Sequence, residues 1–278
     1  MDRIGTVVDM ADAVVERGDL QARGFERYRP LDVAPGSADG PWRADLERLA
    51  GAFEDLPADP YAPQENRFRR FGHAVCLPWN GVLSWIPDVP DPDYGWVAEF
   101  RQTRHPHYDR GRRFPGLPED VRANPLLQHL MRWAAGRTQW REEYRINPLY
   151  YTVHLVKFAA RAEGDVAVAS PNCLHQDGDS SFVFAHLISR TNLVGGETCI
   201  ARAQCAGRQP GDLSPGDLHA SFTLDEPLDS YAVHDPEVSH YVASMRRGPA
   251  SGPGERCIVL MGVMPYTLQL PSAEAHTV

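Results

Sequence analysis

His175 and Asp177 stand two apart in Leu-His-Gln-Asp-Gly, residues 174–178. In extended backbone alternate side chains project to the same side, so an imidazole and a carboxylate at this spacing can reach one ion. A third ligand must then come from a distant strand, and two histidines compete for it. His234 precedes Asp-Pro and would sit at a strand end, whereas His240 shares parity with Val238 and Val242 and stands sixteen positions before Arg256. Two neutral imidazoles and one carboxylate occupy one face of an octahedron and leave three positions for substrate chemistry. His-x-Asp alone also describes a turn in which the aspartate caps backbone donors.

Arg256 opens a late apolar run in which Arg256, Ile258 and Leu260 share one strand face while Cys257 and Val259 take the other. A guanidinium on a core-facing position calls for an anion; the plainer reading is a side chain at a strand end that snorkels to solvent. His154 and His186 lie on apolar strands and read as core residues, and His73, His105, His107, His129 and His219 have no partners at ligand spacing.

Strands are the elements that must position these groups. Tyr150–Ala159, Ser181–Ser189, Glu197–Arg202, Leu218–Leu224, Leu228–His234, Val238–Met245 and Arg256–Met264 are short β-branched or aromatic runs separated by Gly and Pro turns. Seven such runs without intervening helices predict an antiparallel sandwich or barrel, and a jelly roll is preferred to an up-and-down barrel. The fold expected is mainly β with flanking helices around a double-stranded β-helix, cupin-like core. Ahead of it, apolar spacing predicts helices over Ile4–Arg17, Trp42–Leu56 and Pro118–Ala135, with loops and short strands from Pro57 to Pro118. The whole chain, 1–278, is expected to form one domain: helices and loops over 1–149, the barrel over 150–264 and a tail over 265–278.

Hydrophobic residues make up 42% of the 278, enough to bury a sizeable core. A net charge of −9 argues against a nucleic-acid partner, which needs a concentrated positive footprint. Five cysteines without a Cys-x-x-Cys pair indicate neither a disulfide framework nor a zinc ribbon. The N-terminal stretch lacks a long apolar core and a small-residue cleavage site, and no stretch is long enough for a membrane span, so a cytoplasmic protein with no membrane partner is expected.

Two early ligands, a late histidine and then an arginine form an order that resembles the 2-oxoglutarate/iron(II) dioxygenases. Within them it is most similar to the hydroxylases of free amino acids that include L-isoleucine 4-hydroxylase. The matching stretches are Arg-Phe-Arg-Arg-Phe-Gly (67–72), Asn-Pro-Leu-Leu (124–127), His-Gln-Asp-Gly (175–178), Arg-Thr-Asn-Leu-Val-Gly-Gly-Glu-Thr (190–198), Asp-Pro-Glu-Val-Ser-His (235–240) and Glu-Arg-Cys-Ile-Val-Leu (255–260). The segment 102–114 follows the family only loosely.

The resemblance implies Fe(II) on His175, Asp177 and His240, with 2-oxoglutarate chelating the metal and O2 taking the last position. It implies that Arg256 holds the distal carboxylate of 2-oxoglutarate, for which a planar guanidinium offers paired donors and a permanent charge. Thr198 and Asn192 are further hydrogen-bond candidates there. A retained Asp177 favours oxygen transfer over halogenation, and hydroxylation of an aliphatic C–H with release of succinate and CO2 is the default outcome, in a natural-product pathway. The implied substrate is a free L-amino acid or a close derivative, with Gln102, Tyr108, Arg113, Tyr151 and Asp179 as candidate contacts. Two other readings are a cupin-type isomerase or lyase that does not use 2-oxoglutarate, and a non-catalytic binding barrel. The N-terminal helices could serve as a homodimer interface, a lid or plain support.

Overall fold

The computed structural model describes residues 19–100, 111–169, 171–178, 182–214 and 216–266. The helix expected over Ile4–Arg17 lies outside these residues, as do Gln102, Tyr108, Asp179 and nearly all of the tail.

The frame is a seven-stranded antiparallel sheet, in spatial order Phe25–Tyr28, Ser230–His234, Phe182–Thr191, Gly254–Pro265, Leu149–Ala160, Arg67–Leu77 and Val82–Trp85. Its centre is the pairing of Leu149–Ala160 with Gly254–Pro265, in continuous register from Leu149↔Pro265 to Ala160↔Gly254. A three-stranded sheet, Leu218–Phe222, Thr198–Arg202 and Val238–Val242, faces the large one. Between them lies an apolar layer in which Val183, Ala185, Leu187, Tyr231, Val233 and Ile258 of the large sheet meet Ile200 and Val238 of the small one. This is the jelly-roll core expected from the strand pattern.

The other face of the large sheet carries Tyr151, Val153 and Leu155, with Cys257, Val259, Met261 and Val263 beside them. Against these pack Leu126, Leu127, Leu130 and Met131 of the helix Pro125–Thr138, which support the barrel from outside. The strict alternation along Gly254–Pro265 sorts its side chains as the sequence indicates: Ile258 joins the barrel interior and Cys257 and Val259 the helix side.

Three elements differ from expectation. The stretch read as loops and short strands holds an eleven-residue strand, Arg67–Leu77, paired with Leu149–Ala160 from Arg67↔Phe158 to Cys76↔Leu149. Its alternation is disguised because Arg67 and Arg69 are buried, so charge marks the inward face instead of the outward one. The helix expected over Pro118–Ala135 is two, Glu119–Arg122 and Pro125–Thr138. Pro125 disfavours helical backbone at Asn124, whose side chain instead caps the second helix by accepting from the N–H groups of Leu126 and Leu127 at 3.0 and 3.1 Å. The helix expected over Trp42–Leu56 ends at Gly51, with Phe53 and Leu56 still buried in the turns that follow.

Candidate metal centre

The loop carrying the His-x-Asp pair docks on the strand carrying His240. His175 donates its main-chain N–H to the His240 carbonyl and His240 donates back to the His175 carbonyl, each at 2.9 Å. The imidazoles lie side by side with ring centroids 4.3 Å apart. Asp177 completes the group: its Oδ1 is 4.0 Å from His175 Nε2 and its Oδ2 is 3.7 Å from His240 Nε2. One ligand atom from each residue fits within a span of 4.8 Å. Two ligands each about 2.1 Å from one ion stand no more than about 4.2 Å apart, so both carboxylate separations suit a shared cation.

The donor set fits a ferrous ion. Two imidazole nitrogens and one carboxylate oxygen on one side of a cavity are the facial arrangement of non-haem iron sites. Hydrogen bonding to the Cys173 carbonyl at 3.0 Å makes His175 Nδ1 the protonated nitrogen and leaves Nε2 with its lone pair toward Asp177. Burial, and after it the neighbouring His240, hold the His175 pKa down to about 4, against a partial pull upward from Asp177. Burial likewise lowers His240. Both rings are neutral at ordinary pH, so no proton has to leave when a cation arrives.

The loop is fixed on both flanks. Leu174 donates to the Arg208 carbonyl at 2.9 Å and accepts from the Gly207 N–H at 2.7 Å. On the other flank the Asp235 carboxylate accepts from the N–H groups of Asp177 and Gly178 at 2.7 and 2.9 Å, and Gln176 Nε2 donates to the Asp235 carbonyl at 2.6 Å. Gly178 adopts a φ of +89°, a left-handed conformation that a side chain would strain. Burial, then the Asp177 charge, raise the Asp235 carboxyl to about 7.

His234 is not part of the group. Its ring stacks on Phe182, with Nδ1 2.8 Å from Glu237 Oε1 and Nε2 3.3 Å from Arg141. The chain reverses over residues 235–237 and delivers His240 instead.

Arg256 is 2% exposed and lies on the barrel face, with Nε buried and without a hydrogen-bond partner among the described residues. Burial lowers its pKa to about 10, with a further push from Arg190, so it stays charged at neutral pH. Arg190 stands directly opposite, and a local irregularity puts it there. Register between the two strands shifts where Cys257 pairs with Ser189 and Ile258 with Leu187, which leaves Ile188 as an extra residue and turns Arg190 to the same face as Arg256. Arg190 donates to the carbonyls of Leu193 and Gly195 at 3.1 and 2.8 Å. Thr198 is fully buried on the same face as Ile200, and its hydroxyl has no partner among the described residues. An unpartnered buried guanidinium nitrogen and an unpartnered buried hydroxyl on one lining fit a carboxylate-bearing co-substrate.

Tyr231 is a residue that sequence reasoning misses. Burial raises its hydroxyl to about 12, while the Arg256 charge pulls it down and the Asp177 charge pushes it up, so it lies within electrostatic reach of both. It occupies an ordinary aromatic position in a strand, and no spacing marks it.

Other sequence candidates fall elsewhere. Asn192 spends its side chain on the 250–252 turn, donating to the Ala250 and Gly252 carbonyls and accepting from the Ala250 N–H at 2.8–2.9 Å. Tyr151 is on the helix side of the sheet and donates to the Met131 carbonyl at 2.8 Å, because odd positions of its strand face away from the barrel. Arg113 is half exposed and lies 3.5 Å from Asp91. Its neighbour Arg112 is the buried one, 5.0 Å from the Phe100 ring. Near it Arg69 donates to His154 Nδ1 at 3.1 Å, and burial followed by the Arg69 and Arg112 charges holds that histidine neutral.

With this geometry in place, comparison with known proteins is specific. The profile of the 2OG-Fe dioxygenases matches residues 50–262, and the chain belongs to that family. It is therefore a dioxygenase that uses Fe(II), 2-oxoglutarate and O2, and the isomerase, lyase and binding-barrel readings are set aside. It is 28% identical to the 3(1)-hydroxy-L-isoleucine 4-dioxygenase of Pantoea ananatis (strain AJ13355) over 240 residues, which span 84% of this chain and 87% of that protein. Two solved structures share the fold: IDO from Bacillus thuringiensis, with a TM-score of 0.67 and 18% identity over 90% of this chain and 93% of that one, and a bsmA homologue from Methylobium petroleophilum, with 0.68 and 20% over 91% and 93%. Among the described residues no helix is long and apolar enough to cross a membrane.

Proposed function

We propose that the protein hydroxylates an aliphatic C–H of a free L-amino acid or a close derivative, in the cytoplasm and as a single oxygenase domain, with His175, Asp177 and His240 holding the iron. The observation that carries this reading is the backbone pairing of His175 with His240, which brings a sequence-local pair and a ligand 65 residues away to within reach of one ion. The iron, when bound, supplies oxygen activation coupled to decarboxylation of 2-oxoglutarate to succinate and CO2.

The chain's own residues do the rest. Asp177 balances part of the metal's charge, and the neutral imidazoles add two donors without a proton to displace. Arg256 grips the distal carboxylate of 2-oxoglutarate, with Thr198 donating a hydrogen bond to it and Tyr231 alongside. The apolar wall of Val183, Ala185, Leu187 and Ile258 keeps water from the lining. The amino-acid substrate class is supported by the Pantoea relative, whose name describes action on a hydroxylated isoleucine.

Anaerobic addition of Fe(II) and 2-oxoglutarate should give a weak visible charge-transfer band, and a screen of amino acids in air should then find one that drives succinate formation. A protein that shows the band but yields no substrate-dependent succinate with any amino acid would overturn the substrate class. One in which His175→Ala and His240→Ala keep the band would overturn the site.

A further inference from the structure

We propose that Asp235 is the positioning residue of the metal centre, acting through the main chain of the loop that presents Asp177. The inference rests on the reading of His175, Asp177 and His240 as the iron ligands and adds a residue to it. Asp235 begins the three-residue turn between Ser230–His234 of the large sheet and Val238–Val242, the strand that carries His240. It is 2% exposed, and each carboxylate oxygen takes one main-chain N–H of the opposite loop: Asp177 on Oδ1 at 2.7 Å, Gly178 on Oδ2 at 2.9 Å. Its carbonyl takes the Gln176 side chain.

One turn thus sets the position of His240 through the strand it starts and the position of Asp177 through the hydrogen bonds it accepts. The His175–His240 backbone pair and the bonds of Leu174 to residues 207 and 208 fix the loop on the His175 side only. Without the Asp235 carboxylate, the far side of the loop could pivot and carry the Asp177 carboxylate off the shared cation. A carboxyl group suits the task, because two short N–H bonds, one to each of its oxygens, hold both distance and orientation.

Asp229, which also lies 3.5 Å from Arg27, provides a control. It precedes the same strand at its other end, is 5% exposed, and also accepts two main-chain N–H groups, from Asp225 and Glu226 at 3.0 and 3.2 Å, but it serves a turn rather than the ligand loop. The full chain, stripped of metal, is titrated with Mn(II) under argon and free Mn(II) is read by electron paramagnetic resonance, for the parent, Asp235→Asn, Asp229→Asn and His175→Ala. Both carboxylate variants should melt earlier than the parent. Asp235→Asn alone should bind Mn(II) about 10- to 100-fold more weakly, as for loss of an outer partner of a metal ligand. Equal Mn(II) affinity in Asp235→Asn and the parent, or equal weakening in the Asp235 and Asp229 variants, would overturn the proposal. His175→Ala binding as tightly as the parent would instead overturn the ligand assignment beneath it. If Asp235→Asn does not fold, Asp235→Ser measured against Asp229→Ser separates the same outcomes.

Discussion

His175 and His240 exchange both of their main-chain hydrogen bonds, so two candidate ligands from distant parts of the chain are indexed to each other by a single antiparallel residue pair. Side-chain chemistry alone does not choose between His240 and His234, which are six residues apart; the backbone pairing does. His240→Gln should therefore weaken metal binding by more than about 100-fold, exceeding what loss of an outer partner costs. His234→Gln should change it by less than about threefold. Mn(II) affinities of the two variants check this, and a reversed order would move the third ligand to His234.

Arg256 should act on the co-substrate rather than on the metal. Arg256→Lys keeps a charge but loses the planar pair of donors, in a site where its Nε is already buried without a partner among the described residues. Losing one hydrogen bond to a charged group costs about 1.5–3 kcal/mol, so the KM for 2-oxoglutarate should rise by about 10- to 100-fold, with Mn(II) affinity unchanged. Tyr231→Phe removes one hydroxyl worth about 1 kcal/mol and should raise the same KM by up to about tenfold. Steady-state succinate assays at varied 2-oxoglutarate separate the two; an unaltered KM in Arg256→Lys would place the carboxylate elsewhere.

Parity explains both what the sequence makes legible and what it hides. Alternation along Gly254–Pro265 is unbroken, so the inward set of Arg256 and Ile258 can be read directly. Along Phe182–Thr191 the extra residue at Ile188 resets the alternation, and no residue type announces it, so Arg190 cannot be placed beside Arg256 from the sequence. The strand Arg67–Leu77 is obscured by buried arginines, whose charge is compensated by Asp59 at 2.8 Å from Arg67, a partner eight residues back in an irregular segment. Parity also sets where two of the proposed substrate contacts lie: Tyr151 is on the helix side of its strand, and Arg113 is on the exposed side of its own, opposite the buried Arg112 and Phe114. Asp235 is visible within Asp-Pro-Glu-Val-Ser-His, yet its role depends on a loop 58 positions earlier that only folding brings to it.

Acid should destabilise the fold through buried neutral histidines. His186 is fully buried, bonded through Nδ1 to Ser230 Oγ at 2.8 Å and packed near Trp133 and Phe184, with His129 the titratable neighbour. Burial, then His129, hold its pKa at about 3 against an ordinary 6.5. Between these values the unfolded chain takes up a proton that the folded chain refuses. Stability is therefore unaffected by this group above pH 6.5 and is lost progressively as pH falls toward 3, by at most about 1.4 kcal/mol per pH unit. His154, beside Arg69 and Arg112, shifts in the same direction. Urea unfolding of the metal-free protein at pH 7.5, 6 and 5 should show the decline, and His186→Leu should flatten it. Identical slopes for parent and variant would remove His186 from the account.

The helix that backs the sheet should be separable from the chemistry in front of it. Asn124 caps Pro125–Thr138 by accepting from two N–H groups that have no carbonyl within the helix to bond, and its Nδ2 donates to the Asp45 carbonyl at 2.9 Å, tying this helix to Trp42–Gly51. Asn124→Ala loses all three bonds at once. Loss of such a cap costs about 1–2 kcal/mol, and at this chain length each kcal/mol lowers Tm by about 2–4 °C. The helix packs on Tyr151, Val153, Met261 and Val263, residues that point away from the barrel interior. The variant should thus melt several degrees earlier while its KM for 2-oxoglutarate and its Mn(II) affinity stay at the parent's values. A changed KM at temperatures well below the melt would mean that the helix shapes the site through the sheet, and that the two faces of Leu149–Ala160 and Gly254–Pro265 are mechanically coupled.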